Sequence, residues 1–359
     1  MPELPAWIMF AVFFISSVFL SFLINGLFLK FSRSLGIRNS EETIIRWGSQ
    51  SKPALGGISF YILFLFSVTI YSVFLRDYSL PLDKQFLGVL LAVTLGFLIG
   101  LADDAYNTKP FLKFSGQLAS ALILIYSGVY IHFFANEYLN YLLTVFWVVG
   151  MMNSINMLDN MDAITASVSS FIIISAVTII IVNNTEHDVY QTICLGVLGS
   201  IIGFLFFNWH PSKIYMGDTG SQFLGVFLAV IGIMFFWNDG FSTSTLSQSK
   251  NFIGVALIFA LPIIDTTTVT INRLRKGKSP FVGGRDHTTH HLALRLRSDS
   301  KVAWVFMGIS LVSLILFVVS RNIKEWNNYY AFIFAIYFII VFGFLYLPTL
   351  RTKKGKKNK

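Results

Sequence analysis

Apolar stretches long enough to cross a membrane recur along the whole chain, separated by short polar connections. A helix needs about 20 mostly apolar residues to cross the hydrocarbon core of a bilayer. The pattern therefore predicts eleven membrane-spanning helices, near residues 6–29, 55–75, 86–102, 114–134, 139–157, 163–183, 191–208, 221–238, 252–271, 302–320 and 329–348. The predicted fold class is an all-α polytopic membrane protein. It has one membrane domain over residues 1–350 and a basic tail over residues 351–359.

The composition supports this class and removes others. Of the 359 residues, 55% are hydrophobic and only 13% are charged, against about 25% charged in an average soluble domain. This charge content excludes an ordinary soluble domain or a disordered chain. The single cysteine, Cys194, excludes a disulfide scaffold. The first apolar run is too long for the core of a signal peptide, so we expect it to stay as a helix.

The positive charges predict the orientation. With the N-terminus outside, 22 of the 27 Lys and Arg residues fall on the inner side and 5 on the outer side. Cytoplasmic loops are enriched in Lys and Arg, so we expect the N-terminus outside and the C-terminus inside. The net charge of +9 then indicates phosphate-bearing partners, and the tail RTKKGKKNK is expected to contact anionic lipid. A nucleic-acid partner is not expected.

The inner ends of the spans also carry carboxylates, beside Gly, Asn and Thr. These are Asp103, Asp104, Asp159, Asp162 and Asp218, with Asp265 inside an apolar run. Ionisable groups at this depth are costly and mark functional sites. Converging carboxylates repel one another unless they surround a cation, and oxygen ligands suit Mg²⁺, which often shares its shell with phosphates. The pattern therefore indicates phosphoryl transfer at the inner membrane surface.

Each motif has an alternative interpretation. The Asp103-Asp104 pair could be a solvated helix end, and MGDTGS (216–221) could be a glycine turn with an Asp cap. Asn153-x-x-Asn156-x-x-Asp159-x-x-Asp162 is harder to explain as a turn.

Two rival classes also remain. A cation-coupled transporter would place its acids near mid-span. A zinc protease needs a metal triad, but the His287-x-x-His290-His291 cluster has no evident third ligand and no HExxH motif is present.

Five segments together resemble a known family. They are KPALGG (52–57), GLADD (100–104) with Lys113, NSINMLDNMD (153–162), FFNWHPSKIYMGDTGS (206–221), and LPIIDT (261–266) with GGRDHTTHHL (283–292). In this order they resemble the polyprenyl-phosphate N-acetylhexosamine-1-phosphate transferases, glycosyltransferase family 4, over roughly residues 45–300. The span count resembles the N-acetylglucosamine branch. The branch that makes the first peptidoglycan lipid usually has ten spans and three adjacent histidines.

The resemblance implies a bacterial inner-membrane enzyme with a cytoplasmic active site. Such an enzyme transfers N-acetylglucosamine-1-phosphate from a UDP-sugar to undecaprenyl phosphate and releases UMP. The product starts a lipid-linked envelope glycan such as O-antigen or teichoic acid. The donor could also be another UDP-N-acetylhexosamine or a phospho-MurNAc-pentapeptide. The reaction could proceed by direct attack or through an aspartyl-phosphate intermediate. A homodimer is possible as well. The implied cofactor is Mg²⁺, with Mn²⁺ as an alternative.

The resemblance also implies residue roles. Catalytic roles fall to Asp103, Asp104, Lys113 and Asp159. Substrate binding falls to Lys52, Asn153, Asp162, Arg285, His287 and His290. Asp218 and Asn156 are the implied metal ligands.

The sequence departs from the family pattern at four positions. Asn160 and Ala163 replace two glycines, Asn107 replaces an acid and Thr289 replaces a histidine. Because Asn tolerates a left-handed backbone and Ala tolerates it less, we expect Asn160 to keep the turn.

Overall fold

The structure, a computed structural model, describes residues 5–32, 52–75, 83–182, 189–240, 245–279 and 284–350. The predicted basic tail, 351–359, lies outside these residues, as do several of the inner loop charges. The described chain folds into thirteen α-helices. They are α1 (Ala6–Phe31), α2 (Gly56–Ile70), α3 (Lys84–Tyr106), α4 (Pro110–Tyr126), α5 (Glu137–Leu158), α6 (Ile164–Val182), α7 (Val189–Asn208), α8 (Gly217–Gly232), α9 (Thr245–Ile258), α10 (Ala260–Arg275), α11 (Thr288–Leu296), α12 (Asp299–Asn322) and α13 (Asn328–Leu350).

Most of these helices match the predicted spans. Nine helices of the described ranges are long and apolar enough to cross a membrane: α1, α2, α3, α5, α6, α7, α8, α12 and α13. The fold class is therefore confirmed as an all-α protein with many membrane-length helices. π-helical turns extend α2 at Tyr71–Leu75 and α8 at Ile233–Trp237.

Two predicted spans differ from the structure. Helix α4 ends at Tyr126, although the apolar run continues to residue 134. Gly128 turns the chain with a φ of +87°, and the next backbone groups bond to side chains instead: Thr144 accepts from the N–H of Ile131, and Asn140 accepts from the N–H groups of residues 133 and 134. Val129 and Ile131 of this segment are buried in the protein core, although the segment forms no helix.

The second difference is in the predicted span 252–271. It is broken between α9 and α10, whose axes differ by 74°. Pro262 cannot donate a backbone hydrogen bond, and its carbonyl accepts from the hydroxyl of Ser154 on α5 at 2.6 Å. This contact joins the start of α10 to the end of α5. Helix α11 also lies within a segment that was predicted as a loop.

Helix α8 forms the centre of the bundle. Every residue of α8 except Asp218 is buried, and α3 and α5 pack along it. Glycines permit the close approach: a Cβ on Gly96 of α3 would lie 2.5 Å from the side chain of Val226, and one on Gly225 would lie 2.5 Å from the backbone of Met152 on α5. A central apolar helix thus presents a single carboxylate at its N-terminal end.

Candidate active site

Four helix ends meet around Asp218. Helices α3 and α5 end there, and α4 and α8 begin there. The ammonium of Lys113, in the first turns of α4, lies 2.8 Å from Oδ2 of Asp103 on α3 and 3.0 Å from Oδ1 of Asp218 on α8. Asp103 also accepts from the N–H and the hydroxyl of Thr108 at 2.9 and 2.5 Å. A lysine therefore bridges two carboxylates where these helix ends meet, as expected from their predicted clustering.

The end of α5 completes this cluster. The amide of Asn156 donates to Oδ1 of Asp218 and, at 2.8 Å, to the hydroxyl of Ser221. The side chain of Asp218 keeps 29% of its surface exposed. Its second oxygen, Oδ2, has no hydrogen-bond partner among the described residues. Asp103, Lys113, Asn156 and Asp218 are therefore brought together as one site.

Asp104 points away from this cluster and caps α8. Its carboxylate accepts from the N–H of Asp218 at 2.9 Å and from the N–H and hydroxyl of Thr219 at 2.8 and 2.7 Å. A carboxylate at a helix N-terminus satisfies N–H groups that have no partner within the helix and interacts favourably with the helix dipole. Asp104 thus holds the start of α8, which carries Asp218, and its predicted catalytic role stays a prediction.

Glycines bring neighbouring segments against the same loop. A Cβ on Gly100 would lie 2.2 Å from the carbonyl oxygen of Asp218, and one on Gly57 would lie 2.1 Å from the N atom of Gly220. The N–H groups of Gly56 and Gly57 donate to the carbonyls of Tyr215 and Met216, each at 3.0 Å. The glycine pair of KPALGG therefore serves a backbone-to-backbone contact that any side chain would disrupt.

Lys52 and Asp162 lie on the flank of the site. The Lys52 ammonium donates to the hydroxyl of Ser212 at 3.1 Å. That hydroxyl donates to Asp162 at 2.8 Å, and Nδ1 of His210 lies 2.9 Å from the same carboxylate. The structure thus connects these two predicted substrate residues through Ser212. Asp159 ends α5.

The turn after α5 differs from the expectation in one respect. The left-handed residue is Ala163, with a φ of +64°, and Asn160 does not have a positive φ. Asn160 therefore lies in the turn but without the left-handed backbone that was the reason for the expectation, and the less tolerant residue, Ala163, carries the strain instead, at a cost of roughly 1–2 kcal/mol. The N–H of Ala163 donates to the side chain of Asn208 at 3.0 Å, which stabilises this backbone. Asn107 is also left-handed, with a φ of 51°, where it ends α3.

Helix α11 is attached to the site from the opposite side. Asp265 on α10 lies 2.9 Å from Nδ1 of His287, and it accepts from the N–H and hydroxyl of Thr288 at 2.9 and 2.6 Å. The hydroxyl of Thr289 donates to Oδ1 of Asn160 at 2.5 Å. Two departures from the family pattern, Asn160 and Thr289, are therefore hydrogen-bonded to each other. Asp265 is the side chain that orients His287, a role that its position in an apolar run did not indicate.

His290 lies beside His287, with ring centroids 5.4 Å apart. Burial and the neighbouring His287 lower the pKa of His290 from its ordinary value of 6.5 to about 4. His290 is therefore neutral at physiological pH.

Arg285 lies further out, on a basic pocket of about 440 Å³. The pocket is also lined by Lys276, Lys278 and Arg273. Arg273 makes a paired contact with Asp286, at 2.9 and 2.7 Å. Burial raises the pKa of Asp286, but the hydrogen bond and charge of Arg273 outweigh this effect and lower it overall. The charges of this pair offset one another, and Lys276, Lys278 and Arg285 add further positive side chains to the lining.

Asn153 faces a different neighbourhood. Its amide donates at 2.8 Å to Gln117, whose own amide donates at 3.0 Å to Gln222. Gln117 and Gln222 were not among the predicted residues. Their signal was available, since each lies four residues after a site residue on its own helix, which places it on the same helix face.

The oxygen atoms of Asp218 and Asn156 suit a hard cation that takes few of its ligands from the protein. The described residues contain no group of three or more His, Cys, Asp and Glu side chains that could hold a metal ion. Mg²⁺ is usually bound through one or two carboxylates together with waters and phosphates. Oδ2 of Asp218 is available, and Asn156 could offer its amide oxygen by a rotation that exchanges O and N. These two residues fit Mg²⁺ brought by a phosphate-bearing substrate.

Comparison with known proteins identifies the family. Residues 86–236 match the model of glycosyl transferase family 4. A phospho-N-acetylmuramoyl-pentapeptide-transferase of Listeria welshimeri is 30% identical over 336 residues, covering 86% of this chain and 96% of the relative. The chain belongs to glycosyl transferase family 4. The resemblance to the polyprenyl-phosphate N-acetylhexosamine-1-phosphate transferases is thereby confirmed.

Two further relatives also carry transferase names. A probable undecaprenyl-phosphate N-acetylglucosaminyl 1-phosphate transferase of Bacillus subtilis is 26% identical over 303 residues, with 81% of this chain and 78% of the relative covered. A phospho-N-acetylmuramoyl-pentapeptide-transferase of Staphylococcus aureus is 27% identical over 312 residues, with 79% and 89% covered. Membership in glycosyl transferase family 4 favours an enzyme over the transporter and protease alternatives.

Proposed function

We propose that this protein transfers N-acetylglucosamine-1-phosphate from UDP-N-acetylglucosamine to undecaprenyl phosphate and releases UMP. The observation that carries the proposal is the bridge of Lys113 between Asp103 and Asp218, where four helix ends meet. A cation between two carboxylates at a membrane boundary suits a reaction between a lipid phosphate and a nucleotide pyrophosphate. The names of the Bacillus, Listeria and Staphylococcus relatives support this substrate class.

The favoured mechanism is direct attack of an acceptor phosphate oxygen on the β-phosphorus of the donor. A new P–O bond forms to the acceptor, the bond from the β-phosphorus to the bridging oxygen breaks, and UMP leaves with that oxygen. A phosphate monoester is largely ionised at neutral pH, so no base is required. Positioning and charge neutralisation are then the main contributions of the protein.

The contacts of the carboxylates support this route over an aspartyl-phosphate. Asp104 accepts three hydrogen bonds from the start of α8. Asp103 is held by Thr108 and Lys113. Each carboxylate would lose part of these contacts on becoming an acyl phosphate, because one of its two accepting oxygens would be bonded to phosphorus. Lys113 would neutralise the acceptor phosphate by exchanging one of its two carboxylate contacts for a phosphate oxygen.

Asp218 and Asn156 would hold Mg²⁺ together with the donor pyrophosphate. Bound there, the cation would offset the negative charge that gathers on the pyrophosphate oxygens as UMP leaves. Lys52, Asp162 and Ser212 lie on the flank where the donor would extend. His287 and His290 lie on the side of α11.

The inferred topology has eleven crossings, with the N-terminus outside and the site in the cytoplasm. The nine long helices, the bent pair α9–α10 and the shorter α4 together supply eleven apolar segments. Alternating crossings then put the ends of α3 and α5 and the starts of α4 and α8 on one side, which agrees with their contacts. The uneven distribution of Lys and Arg, 22 to 5, supports the cytoplasm as that side.

A second donor is favoured by one observation. The Listeria relative covers more of the chain, at higher identity, than the Bacillus one, and it is named for a phospho-N-acetylmuramoyl-pentapeptide. The proposal is tested with purified protein, undecaprenyl phosphate and a donor panel of UDP-N-acetylglucosamine, UDP-N-acetylgalactosamine and UDP-N-acetylmuramoyl-pentapeptide. We expect UMP release with the first. Release only with the pentapeptide donor would overturn the sugar assignment, and release with none would overturn the reaction.

A further inference from the structure

Three amide side chains, two of them buried, lie one helical turn behind the site. Gln117 is on α4, Asn153 on α5 and Gln222 on α8. Gln117 and Gln222 are almost completely buried, at 1% and 0% exposure. A polar side chain buried among apolar helices is costly unless its hydrogen bonds are made. These three side chains must therefore be considered together.

The three amides form one connected triad. The amide of Asn153 donates to Oε1 of Gln117 at 2.8 Å, and the amide of Gln117 donates to Oε1 of Gln222 at 3.0 Å. A weaker return contact of 3.4 Å runs from Gln117 to Asn153. Two anchors extend to the backbone of α5: Asn153 donates to the carbonyl of Val149 at 2.8 Å, and Gln222 to that of Met152 at 3.5 Å.

The triad repeats the arrangement of the site residues above it. Gln117 follows Lys113 by four positions, Gln222 follows Asp218 by four, and Asn153 precedes Asn156 by three. Since α4 and α8 begin at the site and α5 ends there, all three offsets lead deeper into the bundle. Three of the four helices that contribute a group to the site, α4, α5 and α8, thus each contribute one amide to the layer beneath, about 5 Å deeper at 1.5 Å per residue.

We infer that the Gln117–Asn153–Gln222 triad is a positioning layer that fixes the spacing of Lys113, Asn156 and Asp218. Helix α4 needs such a connection more than the others, because one partner of Lys113, Asp103, lies on α3, the preceding helix of the same hairpin. The link from Lys113 to Asp218 instead crosses between α4 and α8, and the triad joins those two helices directly. The catalytic part of this inference rests on the proposed function, whereas the geometric part does not.

The test measures the geometry first. A membrane-permeant carbodiimide activates a carboxylate, and a contacting amine displaces the urea to form an amide bond. In wild-type protein, we expect mass spectrometry to find Lys113 joined to Asp103 and to Asp218, because the contacts are 2.8 and 3.0 Å. The link to Asp103 lies within the α3–α4 hairpin and serves as the internal reference.

The variants Gln117→Met and Gln222→Met keep the side-chain length and remove the hydrogen bonds. We expect the ratio of the Asp218 link to the Asp103 link to fall at least threefold in both. The matched control is Asn140→Leu, since Asn140 is also a buried, hydrogen-bonded amide of α5 but lies at the opposite end of that helix. It should lower thermal stability and leave the ratio unchanged. A ratio that is the same in the triad variants and in Asn140→Leu, or a wild-type protein without the Asp218 link, would overturn the inference.

Kinetics provide the second measurement. For folded Gln117→Met and Gln222→Met, we expect kcat to fall at least tenfold while KM for the donor changes less than threefold, because misplacement of about 1 Å can cost about 10²-fold in rate. Wild-type kcat in the triad variants, despite a lowered link ratio, would refute the catalytic part. Wild-type protein that transfers no sugar phosphate would refute the proposed function alone, since the cross-link ratio is measured without substrate.

Discussion

Helix α3 approaches the start of α8 most closely at Gly100, so a substitution of Gly100 tests the geometry of the site directly. A Cβ at Gly100 would lie 2.2 Å from the carbonyl oxygen of Asp218, and ordinary van der Waals contact begins at 3.4 Å. In Gly100→Ala, the two backbones must therefore separate by about 1.2 Å, since both sides of the contact are packed helix backbone. The substitution would therefore displace Asp218, the residue that we assign to the metal.

The expected result is a loss of turnover without a loss of fold. A misplacement of about 1 Å can cost about 10²-fold in rate, which corresponds to about 2.7 kcal/mol of transition-state free energy. We therefore expect UMP release by Gly100→Ala, per folded molecule, to fall about 100-fold. Folding is checked by gel filtration in detergent and by thermal unfolding.

The matched control is Gly150→Ala on α5. A Cβ at Gly150 would have no neighbour within 4 Å, and Ala favours a helix over Gly by roughly 0.8–1 kcal/mol. This variant should therefore keep wild-type turnover and unfold at an equal or higher temperature. If Gly100→Ala were as active as Gly150→Ala, the account of how α3 positions Asp218 would be wrong.

Three further predictions concern charged groups of the site. Lys113→Ala should insert and fold but lose turnover, because Asp103 and Asp218 are left without their bridge; wild-type rates would assign the lysine to structure alone. Asp104→Asn should lower stability by about 2 kcal/mol, because an amide cannot accept all three hydrogen bonds from α8, and unchanged thermal unfolding would contradict its role as a cap. For His290, the unfolded chain takes up a proton below its ordinary pKa of 6.5 whereas the folded one does so only near 4. Stability should thus fall by about 3 kcal/mol between pH 6.5 and 4, and His290→Gln should flatten this part of a thermal-unfolding pH profile.

The length and the apolar composition of the hydrophobic runs predict most of the helices. These signals located the membrane helices because every lipid-facing backbone must satisfy its own hydrogen bonds in a helix. They failed at residues 127–134, where Asn140 and Thr144 satisfy the backbone of an apolar segment from the side. They also missed the break before Pro262, because a bent pair of helices has the same composition as a straight one.

The residue types predicted which carboxylates cluster in the candidate site, but they did not predict which groups each side chain contacts. Asp103 and Asp104 are adjacent in sequence, and yet one contacts Lys113 and the other caps α8. Their division follows from the helix period, which turns neighbouring side chains about 100° apart. Ala163 shows the same limit: its left-handed backbone is imposed by the surrounding contacts, against its own preference.

The central claim is that Asp218 holds the cation of a sugar-1-phosphate transfer. The most direct measurement is Mg²⁺-dependent UMP release by purified protein supplied with UDP-N-acetylglucosamine and undecaprenyl phosphate, in wild type and in Asp218→Ala. We expect release that requires Mg²⁺ in the wild type and none above background in the variant. Mg²⁺-dependent release that persists in Asp218→Ala would contradict the metal assignment.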